Sequence, residues 1–61
     1  MRIGDRFRVL DHPATIYTMY GESHYKGIRR ICGHYRHAVN QWIGCELPEG
    51  DLEKCDLPPF Q

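Results

Sequence analysis

No apolar run in this 61-residue chain approaches the roughly 20 residues that cross a bilayer, and Met1-Arg2-Ile3-Gly4-Asp5 puts charges where a secretory leader needs an apolar stretch. The expected setting is cytoplasmic, with no membrane partner. Cysteine is scarce and odd in number. Cys32, Cys45 and Cys55 fit a closed disulfide framework poorly and fit reduced thiols in a reducing compartment. Cys-x2-Cys knuckles, heptads, internal repeats and low-complexity tracts are missing apart from Pro58-Pro59. Net charge is missing as well, since eight Lys/Arg balance eight Asp/Glu.

That zero hides a division. Residues 1–44 carry seven Lys/Arg against three Asp/Glu, and residues 45–61 carry one against five, so a +4 body precedes a −4 end. Such separation predicts one patch that attracts anions and another that repels them. The acidic end can serve solubility, shield the basic body, or engage a basic partner.

A chain this short makes one domain that buries only about 60% of its unfolded surface, which leaves little room for an enclosed active site. Seven aromatic residues argue for a folded core rather than disorder. Residues 3–9 alternate at the two-residue period of a half-buried strand. Ile3, Phe7 and Val9 are expected inward, and Arg2, Arg6 and Arg8 form a basic stripe outward. Asp11-His12-Pro13 should stop that strand.

Residues 14–20 are β-branched and aromatic and predict a second strand, with either Ile16, Thr18 and Tyr20 or Tyr17 and Met19 facing in. Residues 21–27 read as a polar loop between two glycines. Residues 28–39 predict one bent strand or two short ones, with Gly33 marking a bulge or bend. Asn40-Gln41 is a candidate hairpin turn into the strand holding Trp42, whose size places it in the core. Residues 48–52 allow at most one short helical turn, and residues 53–57 a last short strand.

The Gly4-Asp5-Arg6 opening before an alternating Phe-Arg-Val run, the polar first loop and the closing Leu47-Pro48-Glu49-Gly50-Asp51-Leu52-Glu53 turn resemble the SH3-like small-barrel superfold. The likeness covers residues 3–57 and is one of layout. It implies an all-β domain, either a single small five-stranded SH3-like barrel or a strongly twisted antiparallel sheet, over residues 1–57, with a Pro-rich tail at 58–61. The Gly-Asp-Arg opening is also similar to that of type II plasmid dihydrofolate reductases. Asn40-Gln41-Trp42-Ile43 stands where those have Val-Gln-Ile-Tyr, so their catalytic residues do not carry over.

Cys32, His34, His37, Cys45 and Cys55 have the residue types of a zinc site, but His37 has the wrong strand parity to join Cys32 and His34 unless Gly33 bulges the chain. No base and orienting carboxylate accompany any cysteine, so neither catalysis nor a cofactor is expected. Cations interleaved with rings offer the clearer chemistry, because phosphates pair with the first and bases stack on the second. The candidate partner-binding residues are Arg2, Arg6, Arg8, Tyr25, Lys26, Arg29, Arg30, Tyr35 and Arg36. The expected function is a non-enzymatic binding module, an accessory regulator or inhibitor docking this face on a larger protein or protein–nucleic-acid assembly. The alternatives are a nucleic-acid-binding small barrel for DNA or RNA and a zinc-stabilised Cys/His mini-domain.

Overall fold

The computed structural model of the chain describes residues 1–55. Five antiparallel strands form one sheet in the order β4-β3-β2-β1-β5: β1 (Arg6–Val9), β2 (His12–Tyr25), β3 (Ile28–Ala38), β4 (Gln41–Pro48) and β5 (Leu52–Lys54). A 3-10 turn, Glu49–Asp51, leads into β5, and no α-helix occurs among the described residues. The all-β expectation holds in its open-sheet form. β4 and β5 are the sheet's two edges, and the sheet does not close into a barrel. The proposed tail at 58–61 and the end of the last strand at 56–57 lie outside the described residues.

Alternation begins later than the sequence pattern implies. The Asp5 N–H donates to the Arg2 carbonyl at 3.0 Å, and Gly4 has φ +96°, so residues 2–5 make a turn that needs glycine at its third position. Ile3 therefore points outward and is 70% exposed, while Phe7 and Val9 face inward as expected. Arg2 is likewise off the strand and outside any stripe with Arg6 and Arg8.

β1 ends at Val9, before Asp11-His12-Pro13 as expected, but it does so by a reversal at residues 10–11, and His12 and Pro13 already belong to β2. The register of β1 with β2 jumps from Phe7↔Tyr17 to Val9↔His12, so residues 13–16 arch past Arg8. Such an arch tolerates Pro13, which has no N–H to give a ladder. Beyond it, Tyr17 and Met19 face the core, which decides between the two faces left open by periodicity.

The polar stretch 21–27 is not a loop. β2 continues through it to Tyr25, paired with Ile28 of β3, and only Lys26-Gly27 turns. Both turn residues have positive φ, +53° and +77°, as a two-residue type I′ hairpin requires. No bulge falls at Gly33: one lies in β2, with Tyr20 the extra residue between the pairs Met19↔Gly33 and Gly21↔Cys32, and another in β3 at His37, between Arg36↔Trp42 and Ala38↔Gln41. Gly33 has a different duty. A Cβ there would stand 2.7 Å from Phe7 Cε1 and nearer still to Cζ, so only glycine lets the Phe7 ring lie against β3.

The β3–β4 turn is Val39-Asn40, one residue before the expected pair, with Asn40 at φ +62° and Gln41 already in β4. Phe7, Val9, Met19 and Ile31 form the core, with Met1, Tyr17, Cys45, Leu47 and Leu52 packed around them. Trp42 is not part of it. The indole sits on the opposite side of β4 and is 52% exposed.

A candidate binding cleft where the sheet forks

β2 pairs with β3 only from Thr18↔His34 toward the hairpin tip. In the other direction β2 follows β1, and β3 follows β4 as far as Ala38↔Gln41, so the sheet forks at Thr18 and His34. A cleft of about 660 Å³ opens at the fork, within the general range of ligand clefts, lined by residues 14–16, Arg6, Thr18, residues 34–36 and Trp42. It passes between the strands, since Tyr35 belongs to the core side and Arg36 to the outer side. Residues 14–15 hold no rung of either ladder, which leaves backbone donors and acceptors on one wall.

The outer face is built from one row, Arg6, Thr18, His34 and Gly44, and from Arg36 opposite Trp42. Gly44 presents no side chain beside His34, so Trp42 leans diagonally onto the imidazole with ring centroids 4.5 Å apart. The bulged Tyr20 stacks on the other side of His34 at 4.7 Å. Tyr20, His34 and Trp42 thus make a contiguous row of rings across three strands, with Tyr20 stacked on His34 and Trp42 tilted 35° to it. Tyr20 and Trp42, its two ends, are each 52% exposed.

Register also decides which charges remain free. Arg30 donates from Nε to Glu46 Oε1 and from Nη2 to the Glu46 carbonyl, both at 3.0 Å, because Arg30 and Glu46 lie near one another across β3 and β4. Arg29 bonds Glu22, Glu49 Oε2 at 3.2 Å and the Met1 carbonyl at 2.9 Å, tying the hairpin to the 3-10 turn and the first residue. Arg8 pairs with Glu53 at 3.8 Å and Lys54 with Asp5 at 3.6 Å. The acidic end therefore neutralises much of the basic body within the molecule. Among the described residues Arg6 and Arg36 have no ion-pair partner, and Arg6 Nε is buried without a hydrogen bond. No carboxylate lines the cleft.

Of the nine residues predicted to bind a partner, the structure brings Arg6, Tyr35 and Arg36 to the cleft. Arg8, Arg29 and Arg30 are held by carboxylates, Tyr25 and Lys26 sit at the far hairpin tip with the ammonium 5.3 Å from the ring centroid, and Arg2 lies in a separate hollow with Asp5 and Lys54. Tyr20 was not singled out by sequence, His34 was weighed chiefly as a metal ligand, and Trp42 was assigned to the core. Arg6, Thr18 and His34 do share a strand parity, but that signal needs the cross-strand register to be read.

Burial, followed by the Glu46 carboxylate, raises the Cys32 pKa above the ordinary thiol value, and burial raises that of Cys45. Among the described residues no three His, Cys, Asp or Glu side chains converge as metal ligands. Cys32 and His34 stand on the outer face while Cys45 packs against the core. No helix among the described residues is long and apolar enough to cross a membrane. Comparison with protein-family models, with curated proteins and with solved structures finds no match to the chain.

Proposed function

We propose that this chain is a non-enzymatic binding module that docks on a larger macromolecular partner through the forked outer face, as an accessory regulator or inhibitor does. The observation that carries this reading is the cleft itself: two arginines without carboxylate partners and an open row of rings surround a concavity with no acidic residue. Desolvating an unpaired guanidinium is unfavourable, and an anionic partner group in the cleft offsets that cost for Arg6 and Arg36. The elevated thiol pKa values favour binding over cysteine chemistry. We read the meander β1 to β4, followed by a 3-10 turn and a β5 that returns to β1, as an unclosed relative of the SH3-like layout.

Affinity capture from native-cell extract tests the reading with three proteins: the unaltered chain, Arg6→Glu with Arg36→Glu, and Lys26→Glu at the hairpin tip. Material retained by the first and third proteins and lost from the second supports the cleft. Equal retention by all three assigns binding to another surface.

A further inference from the structure

Resting on that reading of the outer face, we infer that the partner is single-stranded nucleic acid, with one base entering the cleft against Trp42 and flanking phosphates on Arg6 and Arg36. Three observations converge. The Tyr20–His34–Trp42 row is a run of planar conjugated rings that ends in a half-exposed indole, and another planar ring extends such a row whatever its sequence. The cations beside it are arginines, whose forked donors match phosphate oxygens. The wall at residues 14–16 offers backbone groups outside the ladders and the Thr15 hydroxyl, which can bond a base edge.

An acidic peptide satisfies the arginines but has no plane for the indole. A duplex keeps its bases stacked inside and cannot place one in a cleft between strands. Single strands supply both an unstacked ring and a phosphate on each side of it. With two unpaired cations at the site, the salt dependence should be shallow, a slope of log K against log salt near −1.4, or about a sevenfold loss between about 50 and 200 mM.

Fluorescence anisotropy with labelled oligothymidylate tests the inference, using the whole chain and its variants, each checked for folding by circular dichroism. Expected are binding at about 50 mM salt, a loss of about 5- to 150-fold in Trp42→Ala, near-complete retention in Trp42→Phe, and little change in Lys26→Glu. A duplex of the same length should bind more weakly. No binding at low salt, equal binding of the duplex, or indifference to Trp42→Ala overturns it. A glutamate- and tyrosine-rich peptide runs alongside. If only the peptide binds, and does so through Trp42 and Arg36, the nucleic-acid inference fails while the docking face stands. If neither binds and the capture experiment is blind to Arg6 and Arg36, both fail.

Discussion

Gly33→Ala is the most informative single change to the core. The added Cβ would overlap the Phe7 ring, with Cε1 at 2.7 Å and Cζ closer, and Tyr17 Cβ stands at 3.3 Å. Phe7 is fully buried and stacked on Tyr17 with ring centroids 5.6 Å apart, so the ring has no open space to move into. Overpacking a tight core costs about 1–3 kcal/mol, and this overlap belongs at the upper end. Losing glycine's backbone freedom returns roughly 0.5–1 kcal/mol, leaving a net loss of about 2 kcal/mol. A chain of this length has a total stability of about 3–9 kcal/mol, so the loss is a large share. Thermal unfolding followed by far-ultraviolet circular dichroism should show a midpoint lower by about 8–16 °C. Gly21→Ala is the control, since a Cβ there meets nothing within 4 Å. Phe7→Leu removes the offending ring atoms, and in combination with Gly33→Ala it should show a favourable coupling of about 1–2 kcal/mol. If Gly33→Ala behaves like Gly21→Ala and combines additively with Phe7→Leu, the close approach of ring and strand is not present in solution.

Three further outcomes follow from local geometry and charge. Lys26→Asn should raise the unfolding midpoint, by about 0.5–1 kcal/mol of stability in urea titrations, because asparagine takes the left-handed conformation at φ +53° with less strain than lysine. The Asp5 carboxyl is held below its usual range by the Arg2 backbone N–H, and Glu22 by the Arg29 side chain. A depressed folded value means that their contribution is complete above about pH 4–4.5 and is lost as pH falls through the lower folded values, so urea midpoints should drop there and drop less in Asp5→Asn. Burial raises the Cys32 and Cys45 pKa values, so the stability they protect is present below about pH 8.5 and lost as pH rises beyond it. Iodoacetamide should accordingly label the folded chain more slowly than the urea-unfolded one at neutral pH.

How much of this was legible in sequence depended on whether the signal was local. Phe7 and Val9 alternate against a core and read correctly, and the 3-10 turn at Glu49–Asp51 follows from Pro48 and Gly50. Residues 21–25 misled because Glu22, Ser23 and His24 show no apolar alternation, yet they pair with Ile31, Arg30 and Arg29 of β3 through the backbone. Ile3 misled because one glycine at positive φ turns the chain before alternation can continue. At the site, Arg6 and Arg36 were visible as cations, but which arginines stay free was not. Arg30 meets Glu46 across 16 residues and Arg29 meets Glu49 across 20, and such cancellation is fixed by register alone. Trp42 was assigned to the core by its size, whereas the small core is filled by Phe7, Met19 and Ile31 and β4 turns its indole outward.

Backbone and indole NMR shifts recorded while oligothymidylate is added to the intact chain test the central claim most directly. The account predicts that the largest changes fall on Arg6, Thr15, His34, Arg36 and the Trp42 indole, with Tyr25 and Lys26 unmoved. Changes centred on the hairpin tip or on the Arg2 hollow, with the fork unaffected, would contradict it.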